Sequence, residues 1–305
     1  MSVATAGGLL TAAVEELRAA GSTSPRLDAE LLLAGALRSD RTGLLAHLEA
    51  TVGDGPAEAF AAALGRRRAG EPVAYIRGLK EFHGLILRSD RRALVPRPET
   101  ELLVELALAR ISGRLTARPR ATTAQPFLVR EVGTGSGAIA VALAVALRRR
   151  HYDGAVSIVA SDVAAPALEL ALENAVAHGV ADLVLFRAAD LVADLVDQTE
   201  AGPHPDLIVA NLPYLPSAEI VAGPPELRFE PRQALDGGPD GLDHLRRLLA
   251  ALPEVLAPGG QALLEIGADQ GEPVAREVEA LPGRWRLTIH PDLAGLARVA
   301  ELSRA

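Results

Sequence analysis

The sequence predicts an α/β protein in which a large twisted parallel sheet is wrapped by helices and preceded by a small helical bundle. Three observations predict it. From Phe127 onward, short apolar runs alternate with helical stretches, the pattern of strands joined by crossover helices. A glycine-rich turn, Gly133-Thr134-Gly135-Ser136-Gly137, joins the first such run to the first such helix. Before residue 75 the chain is rich in alanine and leucine at helical spacing.

The helical part is carried by segments 9–19, 26–37 and 56–68. Ser24-Pro25 opens the second of these as an N-cap followed by proline at the first helical position. In residues 75–95, Ile76, Phe82, Leu85 and Leu87 are punctuated by Gly78, Gly84 and Ser89-Asp90, which predicts a short β-hairpin linking two domains. Residues 111–125 are Ser, Gly, Thr, Arg and Pro without periodicity and are expected to form an exposed connection. Strands are then expected at 127–132, 156–160, 183–186, 207–210, 262–266, 286–289 and 297–302. The resulting domains are residues 1–74 (helical), 75–98 (hairpin linker) and 99–305 (sheet).

Composition narrows the function classes. A length of 305 residues with 49% hydrophobic side chains suits two domains and a sizeable core. A net charge of −8 gives no global positive field toward nucleic acid or an anionic membrane. The absence of cysteine excludes disulfides, thiolate metal ligands and a cysteine nucleophile, and makes a reducing cytoplasm the expected setting. No apolar run reaches the roughly 18 residues needed to span a bilayer, and no basic start precedes the first apolar stretch, so neither membrane insertion nor export is expected. The seven histidines lack ligand spacing, and no metal is expected.

The glycine-rich turn carries the first chemical inference. Its glycines let the backbone bend sharply and let a ligand approach the amides, so the turn is expected to hold a nucleotide-like cofactor. Asp162, at the end of the second strand, can accept hydrogen bonds from a ribose diol, in a dehydrogenase as well as in a methyltransferase. The fourth strand separates these readings. Leu207-Ile208-Val209-Ala210 runs into Asn211-Leu212-Pro213-Tyr214, which a dehydrogenase gives no reason for and methylation of a planar nitrogen does. Such a nitrogen has its lone pair delocalised and is a poor nucleophile, so it must be held in line with the methyl donor. The Asn211 side-chain oxygen and the Leu212 carbonyl can each accept one N–H of an NH₂ group. Pro213 would stiffen that backbone and Tyr214 would wall the pocket.

The segment Glu131–Gly137, Asp162, Asp190 and Asn211 to Tyr214, each at a strand end, resembles the class I Rossmann-like methyltransferases that use S-adenosylmethionine. Glu71-Pro72-Val73-Ala74-Tyr75-Ile76-Arg77-Gly78, Glu81-Phe82 and Pro96-Arg97-Pro98-Glu99-Thr100-Glu101 narrow the likeness to the HemK/PrmC family, the N(5)-glutamine methyltransferases of peptide chain release factors. Arg228-Phe229-Glu230-Pro231, Asp236-Gly237-Gly238, Asp240-Gly241, Pro258-Gly259-Gly260 and Glu265-Ile266-Gly267 match it further, so the resemblance runs from about residue 26 to the C-terminus. It implies a cofactor set of Glu131, Gly133, Thr134, Gly135, Ser136, Gly137, Asp162, Asp190, Leu191 and Asn211, with Asp190 and Leu191 near the adenine. It implies that Asn211, Leu212, Pro213 and Tyr214 bind the target glutamine, that of the Gly-Gly-Gln loop of class-1 release factors. The helical domain would dock the substrate, and the enzyme would act as a monomer without direct nucleic-acid binding. No general base is assigned, since the methylated amide can lose its proton late. The chain departs from the family pattern at Glu131, where Asp is common, at Leu212, where Pro is common, and at the surface insertion 148–154. Two alternatives are an adenine N-methyltransferase acting on nucleic acid, which would need a basic groove and base extrusion, and a non-enzymatic docking protein for release factor or ribosome.

Other residues read more plainly. Arg97 and Glu99 fit a contact with cofactor or substrate as well as a brace between domains. The triplets Arg66-Arg67-Arg68 and Arg148-Arg149-Arg150 are expected to be solvated faces. Trp285 is expected to pack at a strand edge, and His290 with Asp292 to be structural.

Overall fold

The computed structural model of the chain describes residues 4–117, 126–152, 154–196 and 203–304. The chain divides into two compact units, Met1–Leu79 with Gly223–Phe229 and Lys80–Ala222 with Glu230–Ala305.

The first unit holds α1 (Ala6–Ala19), α2 (Pro25–Ala36), α3 (Arg41–Ala46), α4 (Asp54–Arg68) and α5 (Val73–Arg77). Leu10, Leu17, Leu32, Leu33 and Phe60 form its core, each at most 5% exposed. Ser24 precedes α2 as expected, but its hydroxyl donates to the Asp28 carboxylate at 2.8 Å and not to the helix backbone. The arginine triplet of α4 is not one solvated face. Successive helical side chains point about 100° apart, so the three arginines diverge. Arg66 pairs with Glu71 and Arg68 with Glu16, whereas Arg67 is buried and bonds Asp28 and Glu226, both at 2.7 Å. Ile76, expected in the hairpin, belongs to α5, which Gly78 ends in the left-handed conformation at φ 70°.

The hairpin is therefore short: β1 (Leu79–Phe82) and β2 (Leu85–Arg88). It leads in the second unit to α6 (Thr100–Ala117), which takes up residues 111–117 of the expected irregular connection; residues 118–125 lie outside the described residues. The sheet unit follows as β3 (Phe127–Val132), α7 (Ala138–Arg149), β4 (Val156–Asp162), α8 (Ala165–Ala177), β5 (Val184–Ala188), α9 (Ala193–Val196) and β6 (Leu207–Ala210). Then come α10 (Ser217–Ala222), α11 (Asp243–Val255), β7 (Gln261–Glu265), α12 (Gly271–Glu279), β8 (Trp285–Pro291) and β9 (Ala297–Arg304). The strand order is β5-β4-β3-β6-β7-β9-β8.

Each expected strand is present, within two residues at either end. The sheet is parallel from β5 to β7, but β9 runs antiparallel to both neighbours, which corrects the all-parallel expectation. The cause is the connection 292–296, bent at Gly295 (φ 80°). It is far too short for the crossover of a dozen or more residues that a parallel pair needs. Trp285 starts the edge strand β8 and stacks under the Arg304 guanidinium at 5.6 Å. His290 bonds Glu301 and Asp292 bonds Arg298, so the two do not pair with each other. Among the described residues no helix is long and apolar enough to cross a membrane.

Chain order reverses between β3 and β6, and the carboxyl ends of such strands border the crevice where open α/β sheets bind ligands. The helix that follows β3 is set by Gly137, at φ 78°, whose missing side chain lets α7 pack against α8: a Cβ there would lie 2.9 Å from the Ala171 Cβ. Gly137→Ala is expected to destabilise the protein by about 2–4 kcal/mol through left-handed strain plus overlap, read as a lower urea midpoint. An unchanged midpoint would show that the approach of α7 to α8 is not tight.

Candidate active site

The glycine-rich turn and the end of β4 hold each other. Gly133 N–H and Thr134 N–H both donate to the Ser161 carbonyl at 2.8 Å, and Gly135 N–H donates to Asp162 Oδ2 at 2.8 Å. The other Asp162 oxygen accepts the Ala164 N–H at 2.9 Å. Gly133 and Gly135 have φ of 74° and 55°, values that glycine reaches without strain. A Cβ on Gly133 would meet Leu212 Cδ2 at 3.2 Å, so glycine also lets the turn close on the end of β6.

Between them lies a cavity of about 300 Å³, at the lower bound of the roughly 300–1,000 Å³ typical of small-molecule sites. Gly133, Gly135, Asp162, Asp190, Leu191, Asn211, Leu212 and Pro213 all line it. Glu131, Thr134, Ser136 and Gly137 stand behind that lining and shape the turn: Thr134 donates to Glu131 Oε2 at 2.9 Å, and the Ser136 carbonyl accepts the Asn174 side chain. Leu191 is held at φ 54°, a conformation bulky residues rarely adopt. Asp190 beside it is tied to Arg247 at 2.6 Å. Tyr214 lies apart, lining a neighbouring cavity of about 570 Å³ with Gly267, Gln270 and Arg298. Its carbonyl accepts the Gln270 side chain at 3.0 Å.

Asn211 leaves β6 with its side-chain Nδ2 donating to Thr100 Oγ1 at 3.0 Å. Arg97 bonds the buried Glu230 at 2.6 Å, and Glu230 also accepts the Val95 N–H, all within the second unit and not between the two. Two other carboxyls are buried with less support. Burial pushes Glu131 up to about 8, against the help of the Thr134 hydroxyl, and its Oε1 has no hydrogen-bond partner among the described residues. Burial likewise pushes Glu265 up to about 7, with the Thr100 hydroxyl opposing. The Tyr214 hydroxyl is raised by burial first and by the nearby Glu265 second.

A family model described as the PrmC N-terminal domain matches residues 8–78. A release factor glutamine methyltransferase of Moorella thermoacetica is 39% identical over 286 residues, 94% of either chain. Another, from Cereibacter sphaeroides, is 41% identical over 296 residues and 96% of either chain. This chain belongs to the release factor glutamine methyltransferase family. Among solved structures, the hMettl16 catalytic domain in complex with the MAT2A 3'UTR hairpin 6 aligns with a TM-score of 0.53 over 76% of this chain and 80% of that one. At 15% identity it bears on the fold alone, that of a class I methyltransferase.

The cavity of this family member also has walls that no motif flagged. Arg92, Gln233, His244 and Arg247 line it. Arg92 is anchored by Asp90 and Glu173, and Arg247 by Asp190. Their positions on loops and on α11 leave no local signature. Thr100 lies inside a recognised motif, yet its bond to Asn211 spans 111 positions and could only be found in three dimensions.

Because Glu131 keeps its proton in the fold up to about pH 8 and loses it near the usual 4.5 when unfolded, its contribution to stability is fully present below that lower value. It is lost as pH rises toward the upper one. Urea unfolding of Glu131→Gln should therefore show the wild type losing ground to the variant between those limits, by more than about 1.4 kcal/mol, the worth of one pKa unit. Glu265 is common to both proteins and cancels. A constant gap would mean that Glu131 is ionised in the fold.

Proposed function

We propose that this enzyme transfers a methyl group from S-adenosylmethionine to the side-chain amide nitrogen of the glutamine in the Gly-Gly-Gln loop of class-1 peptide chain release factors. The observation that carries the reading is the meeting of the turn at Gly133 and Gly135 with Asn211 and Leu212 around one cavity, with the Asn211 amide nitrogen already committed to Thr100. The fit to the cofactor rests on that cavity. Gly135 has open space where a Cβ would point, nothing lying nearer than the Ala93 Cβ at 3.9 Å. Asp162 keeps spare lone pairs beyond its two backbone bonds for a ribose diol. Leu191, Ala189 and Ala167 supply apolar wall for a base.

When bound, S-adenosylmethionine supplies an electrophilic methyl group on a sulfonium. The chain's part is to present the nucleophile. Asn211 Oδ1 accepts one N–H of the glutamine amide and the Leu212 carbonyl the other, which fixes the amide plane. The Leu212 carbonyl can play this part although the family more often has proline there, because a backbone atom does the work. Pro213 limits the backbone after it. Tyr214 faces the adjoining cavity, where it would wall the approach of the substrate loop. Alignment of the amide and the oriented dipoles around it supply most of the rate enhancement, since no strong base is required.

The helical N-terminal domain, residues 1–74, is assigned to docking the release factor, in keeping with a family that has a separately recognised N-terminal domain. The enzyme is read as a cytoplasmic monomer acting on protein and not on nucleic acid, which its net charge of −8 supports.

Asn211→Ala should lower methyl transfer from labelled S-adenosylmethionine to a purified class-1 release factor by about 10²-fold or more. Its cofactor affinity by calorimetry should stay within a few-fold. A large loss of cofactor binding would reassign Asn211 from the target amide to the cofactor.

A further inference from the structure

One side chain outside the cavity lining holds two of its walls together. Asn174, on α8, is 0% exposed. Its Oδ1 accepts the Arg88 N–H at 2.7 Å, and its Nδ2 donates to the Arg88 carbonyl at 3.2 Å and to the Ser136 carbonyl at 2.9 Å. A carboxamide offers one oxygen and two N–H groups, so every polar atom of this one is bonded to backbone. The paired bonds to Arg88 act as a neighbouring strand would at the end of β2. The third bond reaches the glycine-rich turn, and it depends on Gly137. A Cβ there would lie 2.9 Å from the Ala171 Cβ, and Asn174 stands three residues beyond Ala171 on the same helix face.

The residue before it, Glu173, faces outward and bonds the side chains of Arg88 at 3.1 Å and Arg92 at 2.8 Å. Helix α8 thus grips residues 88–92 from the inside and from the outside. From there the chain runs along the cavity, which Arg92, Ala93 and Leu94 line. Ala93 packs with Ala167 and Leu170 of α8, and its Cβ is 3.9 Å from where a Cβ on Gly135 would stand. Beyond the cavity Glu230 pins the same segment by accepting the Val95 N–H at 3.1 Å and an Arg97 N–H at 2.6 Å. Residues 88–97 are therefore a strap fastened at both ends, with the cavity between the strap and the turn.

We propose that Asn174 is a positioning residue for the cofactor: by tying the strap to the glycine-rich turn it sets the width of the cleft that S-adenosylmethionine enters, with Glu173 as a weaker outer tie. This deepens the reading of that cavity as the cofactor site and rests on it. The inner bonds dominate because they are shielded from water, whereas the partly exposed ion pairs of Glu173 are screened. A cofactor that binds only beneath a fastened strap has its affinity reduced by the fraction of molecules in which the strap is fastened. The target amide is held from β6 by Asn211 and Leu212, so its binding should not follow that fraction.

The test uses the full-length protein and S-adenosylhomocysteine as the probe. Asn174→Asp keeps the shape and the acceptor for the Arg88 N–H but sets a carboxylate oxygen against two carbonyls. By calorimetry its Kd should weaken by about tenfold or more, and that of Glu173→Ala by only about two- to threefold. Leu252→Ala, at an equally buried site on α11, controls for lost stability alone and should stay within about twofold. In methylation of a release factor by Asn174→Asp, KM for S-adenosylmethionine should rise in step, while KM for the release factor at saturating cofactor holds. Amide hydrogen exchange of the wild type decides the matter even if Asn174→Asp fails to fold: the probe should slow residues 88–94 and 133–137 together. An unchanged Kd in Asn174→Asp, an equal loss in Leu252→Ala, or protection of the turn without the strap would overturn the proposal and leave the cofactor site standing. A wild type that does not bind the probe at all would sink the cofactor-site reading and the proposal with it.

Discussion

The end of β6 is the constraint on which the site depends. Leu207, Ile208, Val209 and Ala210 are each at most 1% exposed, and the strand is paired to β3 on one edge and β7 on the other. Fully burying each of the larger side chains is worth about 1.5–3 kcal/mol. A slip of one residue would break both ladders and move every side chain to the wrong face. Asn211 therefore leaves the sheet at a fixed point, and that point is also where strand order reverses. The crevice, the turn that lines it and the amide that projects into it all follow from this one buried strand.

Around that point the protein keeps carboxyls in apolar surroundings and settles each differently. Glu230 is fully supported by Arg97 and the Val95 amide, which ties the segment before α6 to the segment before α11. Glu131 is supported in part, by the Thr134 hydroxyl, whereas neither Glu265 oxygen has a hydrogen-bond partner among the described residues. Desolvation dominates at both and raises them above the ordinary carboxylate value. Asp162 spends its charge on two backbone amides of the turns flanking it and still faces the cavity. A rigid strand end suits a reaction that relies on alignment.

Much of this was legible in the sequence because strand ends announce themselves locally. An apolar run followed by Gly133-Thr134-Gly135, by Ser161-Asp162 or by Asn211-Leu212-Pro213 is a short-range signal, and the structure brings Gly133, Gly135, Asp162, Asn211 and Leu212 to one cavity. What stayed hidden is what depends on distant partners. Arg67 reads as one of three solvated arginines until Asp28 and Glu226 are seen to meet it. The reversal of β9 depends on a connection of five residues, a length visible in the sequence but outweighed by the regular alternation before it. Ile76 reads as hairpin because apolar residues alternate with glycines there, whereas Gly78 ends a helical turn. Glu265 reads as the first residue of the Glu265-Ile266-Gly267 motif, and only the register of β7 with β6 sets it beside Asn211.

The central claim is that the end of β6 presents a glutamine amide for methylation. It is tested most directly by tandem mass spectrometry of a purified class-1 release factor after incubation with this enzyme and S-adenosylmethionine, reading the Gly-Gly-Gln peptide. The account predicts one added methyl group, located on the side-chain nitrogen of that glutamine. A peptide left unmodified by an enzyme that binds the cofactor would contradict it, keeping the fold and moving the substrate elsewhere.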